Sequence, residues 1–218
     1  MKRRNLLLNM QHAMLAALGP SQWWPGDTPF EVAVGAILTQ NTNWGNVEKA
    51  ITNLKRENAL EPKALARLPR ERLEECLRPA GYFRLKAQRL THFLDFLKAE
   101  AGLSMEALAT RDPVALREKL LAVKGIGPET ADSILLYALN APVFVVDAYT
   151  QRIYSRHGLS PEETSYHELQ ALFTDALPRD AALYNEYHAL IVRTAKQWCL
   201  KKAPRCQGCP LESFLESR

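Results

Sequence analysis

Two glycines one residue apart, Gly125 and Gly127, lie between two apolar segments of the chain. Because glycine adopts positive φ easily and lets another backbone approach closely, the pattern predicts a tight hairpin between two helices. Pro128 and Thr130 stand where the second helix would begin, and Lys124 precedes the first glycine. The first N–H groups of a helix have no partner inside the helix and lie at the positive end of its dipole. The sequence therefore predicts a hairpin that binds phosphate.

A single acidic residue, Asp147, follows a break at Asn140 and Pro142 and a run of β-branched residues. Aspartate directly before the helical pattern that starts at Ala148 is typical of a helix N-cap. Backbone amides that donate to a capping carboxylate favour its ionised form, so the cap would also hold an anion at neutral pH. A structural role and a chemical role for Asp147 are therefore compatible.

Three of the four cysteines lie close together near the C-terminus, where Cys199, Cys206 and Cys209 form the spacing C-x6-C-x2-C. Thiolates grouped so closely bind metal more often than they stay free. The remaining cysteine, Cys76, is distant in sequence and is expected to be a buried apolar residue. This usage favours a reducing compartment, so we expect a cytoplasmic, nucleoid-associated protein.

Aromatic and polar residues flank an apolar segment near the N-terminal end of the chain. Trp23 and Trp24 adjoin each other in a loop rich in proline and glycine, where two such rings are hard to bury together. They are either a lid on the core or a platform on which a base stacks. The segment that follows is apolar on every face, which predicts a helix in the middle of a domain. It ends in a polar stretch that contains Gln40 and Trp44.

The composition sets wide bounds on the function. The chain has 218 residues with 47% hydrophobic content, enough for one large or two modest cores. Its formal net charge of +4 is compatible with a nucleic-acid partner without requiring one. The basic start, Met1 to Arg4, and the leucines after it imitate a secretion signal, but polar residues soon interrupt the apolar run, so a first helix is predicted instead. No stretch approaches the roughly 20 apolar residues of a membrane span, and we expect no membrane partner.

Helical periodicity runs through most of the sequence and strand alternation is almost absent, which predicts an all-α protein. The last long helical segment, Ala181 to Trp198, carries an apolar stripe with His188 beside it. This histidine is expected to be partly buried, with its hydrogen bonds satisfied. Arg84, Lys86 and Arg89 are interpreted as a solvated basic face rather than as specific contacts, although one or two of them could touch phosphate.

Four motifs, in family order from Trp23 to Cys209, resemble the endonuclease III superfamily of helix-hairpin-helix DNA glycosylases. They are P-F-E-x6-L-x-Q-x-T, G-[FY]-x-x-K-A, V-K-G-I-G-x-x-T-A-D at the hairpin and the C-terminal cysteines. The resemblance implies two helical lobes with the active site in the cleft between them. A six-helix lobe of residues 28–138 would carry the hairpin, and residues 1–27 plus 139–218 would form the second lobe.

The same resemblance assigns roles to single residues. Asp147 matches the catalytic carboxylate, and Gln40 matches the glutamine that enters the duplex and fills the gap left by an extruded nucleotide. Members that also cut the strand place a lysine two residues after the second hairpin glycine, where this chain has Glu129. A carboxylate cannot form the Schiff base with the sugar, so this departure implies a monofunctional glycosylase.

Within the superfamily, the chain is most similar to the endonuclease III-like 3-methyladenine DNA glycosylases. In that group the residues that match Trp23, Trp24, Trp44 and Lys196 line the base pocket. An alkylated purine is cationic, so its glycosidic bond is already weakened and electron-rich rings favour it over neutral bases. The implied function is base excision repair by a monomer that removes alkylated purines from duplex DNA.

Endonuclease III ends in C-x6-C-x2-C-x5-C around a [4Fe-4S] cluster, but the fourth position here is Leu215, which cannot bind iron. The resemblance therefore implies either a cluster held by Cys199, Cys206 and Cys209 with a fourth ligand from elsewhere, or a vestigial loop. Two other functions stay open: a glycosylase for a mismatched or oxidised base, and a non-catalytic protein that binds duplex through the hairpin. The presence of both Asp147 and Gln40 disfavours the second, since binding alone needs neither.

Overall fold

The computed structural model describes residues 2–215, and no strand occurs within them. The predicted all-α class is therefore confirmed. The α-helices, in chain order, are α1 Lys2–Leu18, α2 Pro29–Leu38, α3 Trp44–Arg56, α4 Pro62–Leu65, α5 Arg70–Leu77, α6 Phe83–Ala101, α7 Met105–Ala109, α8 Pro113–Leu121, α9 Pro128–Ser133, α10 Ala148–Arg156, α11 Tyr166–Thr174 and α12 Ala181–Gln197. Short 3-10 turns cover Arg78–Ala80 and Glu212–Phe214, and a π-helical turn, Ile134–Ala138, continues α9.

The chain divides into two compact units, one formed by Trp24–Ala141 and the other by Met1–Trp23 with Pro142–Arg218. The first, which we call the hairpin unit, contains α2 to α9. The second, which we call the Asp147 unit, contains α1 and α10 to α12.

Helix α2 is the central element of the hairpin unit. Thr28 caps it, because its hydroxyl accepts from the amide of Glu31 at 3.1 Å, and Pro29 supplies the pre-set φ of the first helical position. Every residue from Phe30 to Leu38 is buried, as the apolar sequence predicts. The helix packs against α3, α6, α9 and the π-helical turn. The chain that leaves α2 therefore emerges beside α6 and the hairpin.

Lys86 on α6 is fully buried, so its predicted place on a solvated face is wrong. Its Nζ donates to the carbonyl of Ala80 at 2.6 Å, at the end of the 3-10 turn that precedes α6. Burial, helped by the positive charge of Arg89, lowers the pKa of Lys86 to about 8. The buried ammonium thus binds the end of the turn. The pattern of charges along α6 could not indicate this contact.

Aromatic side chains form the core of the Asp147 unit. Phe144 stacks on Phe173 with ring centroids 4.0 Å apart, and Tyr187 meets both rings edge-on. The hydroxyl of Tyr187 donates to the carbonyl of Leu7 at 2.7 Å, and the Tyr154 hydroxyl lies 2.8 Å from it. These contacts join α1, α10, α11 and α12 around the segment that leads to Asp147.

No helix within residues 2–215 combines the length and the apolar character that crossing a membrane requires.

Candidate active site

Asp147 is the N-cap of α10, as the sequence predicts. Its Oδ1 accepts from the amide of Thr150 at 2.8 Å and from the hydroxyl of Thr150 at 3.0 Å. In return, the amide of Asp147 donates to the Thr150 hydroxyl at 3.3 Å, which completes a capping box. One carboxylate oxygen is thus fixed by the first turn of its own helix, and the side chain is only 11% exposed.

The second oxygen of Asp147 faces His188, whose Nε2 lies 3.5 Å from Oδ2. Burial by itself raises the pKa of the Asp147 carboxyl, but His188 and the hydrogen bonds from Thr150 outweigh it, so that the pKa lies below its ordinary value. Asp147 is therefore an anion at neutral pH. His188 was expected to be partly buried with its hydrogen bonds satisfied. It is buried on α12, and its contact with Asp147 was not predicted.

Lys196, a predicted pocket residue, is exposed near the end of α12. Its Nζ lies 6.0 Å from the centre of the Tyr149 ring, and the guanidinium of Arg152 lies 5.1 Å from the same ring. Tyr149 follows Asp147 by two positions, on the first turn of α10. Two cations therefore lie near one aromatic ring in the first turn of α10.

Three aromatic side chains meet on α2 in the hairpin unit. The ring of Trp24 lies edge-on to Trp44, with centroids 5.3 Å apart, and at 40° to Tyr137, with centroids 5.1 Å apart. Gly35 makes room for them, because a Cβ there would lie 3.2 Å from the indole nitrogen of Trp24. Tyr137 stands on the π-helical turn and was not predicted. The structure places Trp24 beside Trp44, whereas Trp23 is half-buried in the Asp147 unit.

The hairpin has the predicted form, with α8 before it and α9 after it. Gly125 has a φ of +93°, which requires glycine, but Gly127 has a φ of −96° and caps α9 in an extended conformation. Only one of the two glycines is thus needed for positive φ. Lys124 is exposed, Thr130 is buried, and the carbonyl of Lys124 accepts from Nδ1 of His92 at 2.9 Å.

A buried ion pair joins the two helices of the hairpin. Arg117 on α8 donates from Nε to Asp132 Oδ1 at 2.6 Å and from Nη2 to Oδ2 at 3.0 Å, and Asp132 is fully buried on α9. This bidentate geometry holds α8 and α9 in one orientation. The aspartate belongs to the hairpin motif, but its partner was not predicted.

Gln40 lies just beyond α2, against the hairpin. Its Nε2 donates to the hydroxyl of Thr130 at 2.8 Å and to the carbonyl of Gly125 at 3.3 Å, and its Oε1 accepts from Nη1 of Arg89. Arg89 is half-buried, so its predicted place on a solvated face is also wrong. The structure thus brings together three of the predicted DNA-binding residues, namely Gln40, Gly125 and Thr130.

The C-terminal cysteines lie on a segment after α12. Cys199 and Cys209 are half-buried and Cys206 is exposed, and all three line one cavity of about 50 Å³ whose wall also includes Leu215. Nη1 of Arg156 donates to Cys199 Sγ at 3.3 Å. Within residues 2–215, no three His, Cys, Asp or Glu side chains are placed to share one metal ion. Because leucine occupies the fourth position and cannot donate, the residues present do not fit a four-thiolate cluster. Cys76, as predicted, is buried in the hairpin unit.

Comparison with known proteins identifies relatives along nearly the whole chain. The HhH-GPD superfamily of base excision DNA repair proteins matches residues 34–179. A protein of Methanocaldococcus jannaschii, provisionally named a DNA repair glycosylase, is 46% identical over 98% of this chain and 97% of its own length. Endonuclease III of Thermotoga maritima is 30% identical over 86% of this chain and 83% of its own length.

Among solved structures, the H. pylori 3-methyladenine DNA glycosylase bound to 1,N6-ethenoadenine superposes with a TM-score of 0.73 at 32% identity. The superposition covers 89% of this chain and 97% of that protein. The resemblance inferred from the four motifs is confirmed by these matches. The chain belongs to the HhH-GPD superfamily of base excision DNA repair glycosylases.

Proposed function

We propose that this glycosylase excises alkylated purines of the 3-methyladenine type from duplex DNA and leaves the abasic strand intact. The observation that carries the proposal is the aromatic cluster of Trp24, Trp44 and Tyr137. A cationic purine gains more than a neutral base from contact with electron-rich rings, because the ring faces carry partial negative charge. The 32% identical H. pylori structure holds a modified adenine, which supports a purine substrate.

Asp147 has the charge that the reaction requires. When the bond between the sugar and an alkylated purine breaks, its electron pair neutralises the departing base and the sugar becomes an oxocarbenium-like cation. A buried carboxylate with a pKa below its ordinary value stabilises that cation and orients a water molecule, which adds to the sugar and passes its extra proton to solvent water. No strong general acid is needed, because the leaving group departs as a neutral purine.

The hairpin and Gln40 supply the proposed contacts with the duplex. Backbone amides around Gly125 and Gly127 bind a phosphate without regard to sequence, with Lys124 exposed beside them. Gln40 leaves its position on the hairpin and fills the space of the extruded nucleotide. Trp23 and Lys196 are proposed as further residues of the base pocket, in line with the matching positions of the family.

The absence of strand cleavage follows from the residue at position 129. Glu129 is exposed after the hairpin and carries a carboxylate where an amine would be required. Lys86 is buried against Ala80, so it cannot reach a sugar. We therefore propose that neither Lys124 nor Lys196 forms an imine with the abasic site.

A base-release assay tests substrate and mechanism together. Duplexes that contain 3-methyladenine, 7-methylguanine, a thymine opposite guanine or an oxidised purine are incubated with the protein, and released bases are quantified. We expect release from the two methylated duplexes, strand breaks only after alkaline treatment, and no adduct after borohydride reduction. Release only from the mismatched or oxidised duplex would overturn the alkylpurine assignment. An adduct lost on replacement of Lys124 or Lys196 would overturn the monofunctional one.

A further inference from the structure

All polar atoms of the Gln40 amide are engaged inside the hairpin unit. Nε2 donates to Thr130 and Gly125, and Oε1 accepts from the guanidinium of Arg89. These partners stand on three separate parts of the unit: α9, the hairpin and α6. Gln40 cannot enter a duplex, as the proposed function requires, without breaking every one of these bonds.

Arg89 is the partner whose position depends on the hairpin glycine. A Cβ at Gly125 would lie 2.5 Å from Cγ of Arg89, 3.0 Å from its Nε and 3.1 Å from its Cδ. The side chain of Arg89 therefore lies across the backbone of Gly125, in the space that a larger residue would occupy. Its Nε is buried and makes no hydrogen bond. The side chain of Arg89 thus crosses the hairpin to reach Gln40, and its Nε–H donor has no acceptor among residues 2–215.

The neighbouring turn of α6 is tied to the hairpin as well. Nδ1 of His92 donates to the carbonyl of Lys124, one residue before Gly125. Arg89 and His92 lie three positions apart on α6 and therefore face the hairpin together. A change in the backbone of the hairpin is transmitted directly to the side chain that holds Gln40.

We propose that Arg89 is a positioning residue: it holds Gln40 on the hairpin and is transferred to a backbone phosphate when the duplex binds, which frees Gln40. The physical reason is the difference between its two acceptors. A guanidinium bonds a charged phosphate oxygen more strongly than the neutral oxygen of an amide. A phosphate bound by the hairpin lies next to the Arg89 side chain, so the same contact that anchors the duplex releases the side chain that probes it. This inference rests on the proposed entry of Gln40 into the duplex.

Nuclear magnetic resonance of protein labelled with 15N-glutamine tests the transfer directly. The side-chain amide signal of Gln40 is assigned by its loss in Gln40→Ala. We expect an undamaged duplex to shift this signal in the wild type, towards the position that Arg89→Met shows without DNA. Methionine keeps an aliphatic chain across Gly125 but removes the donor and the charge. An unchanged Gln40 signal in a folded Arg89→Met variant, or no shift on addition of duplex, would overturn the proposal.

The salt dependence of duplex binding supplies the second measurement. Loss of one phosphate contact lowers the slope of log K against log salt by roughly 0.9. We expect that change in Arg89→Met and none in Arg84→Met, because Arg84 lies on the same helix but its Nε faces the carboxylate of Glu74 at 3.7 Å. If Arg89→Met does not fold, Arg89→Lys keeps the charge and should retain the salt slope, while its Gln40 signal moves to the released position. A Gln40 signal unchanged in Arg89→Lys would count against the proposal.

The failure of this inference and the failure of the proposed function have different signatures. If the protein releases no methylated purine, the function is wrong, yet the amide signal and the salt slope still decide whether Arg89 is transferred. A second pattern would support the proposed function but contradict the role of Arg89. In it, methylated purines are released and Gln40→Ala lowers that release at least tenfold, but the Gln40 signal changes neither in Arg89→Met nor on addition of duplex.

Discussion

Asp147 and Gln40 each follow a stretch of buried chain and are held by hydrogen bonds, but the partners differ in kind. The bonds that fix Asp147 Oδ1 come from Thr150, three residues away on the same helix. The bonds that hold Gln40 reach residues 49, 85 and 90 positions away in the sequence. The carboxylate is part of a local cap, whereas the glutamine joins three separate elements.

This difference agrees with what each side chain is proposed to do. A charge that stabilises a transition state is most effective when it is already in place, because no reorganisation is then needed during the reaction. A side chain that must enter the duplex has to leave its partners, and DNA must supply replacements. The Asp147 unit therefore fixes the carboxylate of Asp147 in place, whereas the hairpin unit holds the amide of Gln40 by hydrogen bonds that DNA can replace.

The largest effect is expected from Asp147→Asn. Asparagine is also a good N-cap, so the variant should fold and bind duplex like the wild type. It removes the negative charge, and we expect the single-turnover rate of base release to fall by roughly 10²–10³-fold. The measurement is base release from duplex with 7-methylguanine at saturating protein.

Ser165→Ala is the matched control for the cap. Ser165 caps α11 with the same reciprocal box, made with Glu168, but lies apart from the proposed chemistry. Its replacement should lower stability by about 1 kcal/mol and leave the rate of base release unchanged. An equal loss of rate in Ser165→Ala would show that base release responds to loss of stability rather than to the charge of Asp147.

The next largest effect is expected at the hairpin, where substitution of Gly125 should be more harmful than substitution of Gly127. Gly125→Ala forces a φ of +93° on alanine and places a methyl group 2.5 Å from Cγ of Arg89. We expect a loss of stability on the order of 1–2 kcal/mol and about tenfold weaker binding to every duplex. Gly127→Ala has a negative φ and nothing within 4 Å of the new Cβ, so it should be much milder in both respects. Melting curves measure the stability of the two variants, and binding isotherms measure their affinity for duplex. Equal losses in Gly125→Ala and Gly127→Ala would contradict the assigned role of Arg89.

The third prediction concerns the pH dependence of base release, which we expect to shift without a loss of maximal rate. Because His188 helps to hold the pKa of Asp147 below its ordinary value, His188→Gln should let that pKa rise. In the proposed mechanism Asp147 acts as an anion, so activity is expected to fall as the pH drops through its pKa. We therefore expect the acidic limb of the base-release profile to move to higher pH, with little change above neutrality. An unshifted limb in a folded variant would show that Thr150 and the cap alone set the charge.

The sequence predicts those parts of the structure that depend on neighbours along the chain. The hairpin, the Asp147 cap and the buried helix α2 follow from glycine and proline positions, from N-cap chemistry and from helical periodicity. The charge pattern placed Lys86 and Arg89 on one solvated face, which is wrong for both side chains. Arg89 is held by the amide of Gln40, 49 residues away, and Lys86 is buried by the hairpin unit against the nearby carbonyl of Ala80. His188 was missed for the same reason, since its charge partner stands on another helix.

The smallest effect is expected at the segment that carries Cys199, Cys206 and Cys209. Unlike Asp147 and Gln40, this segment is held by arginine side chains that donate to its backbone carbonyls. Arg152 donates to the carbonyl of Cys199 at 2.7 Å, and Arg156 donates to the carbonyls of Leu200 and Lys201, each at 2.8 Å. These bonds fasten the start of the segment to α10 through protein atoms. We therefore expect chelation under reducing conditions to change neither the melting temperature nor the rate of base release.

Leu215→Cys is the positive control for that prediction, because it restores the spacing C-x6-C-x2-C-x5-C. After anaerobic incubation with iron and sulfide, we expect the visible absorption of a cluster only in this variant, since three thiolates and a leucine leave one iron without its protein ligand. Arg156→Leu should lower the melting temperature, because it removes hydrogen bonds that fasten the segment to α10. A wild-type protein that is coloured as purified, with about four iron atoms for each chain and a lower melting temperature after chelation, would contradict this account. It would then require a fourth ligand from a residue other than Leu215.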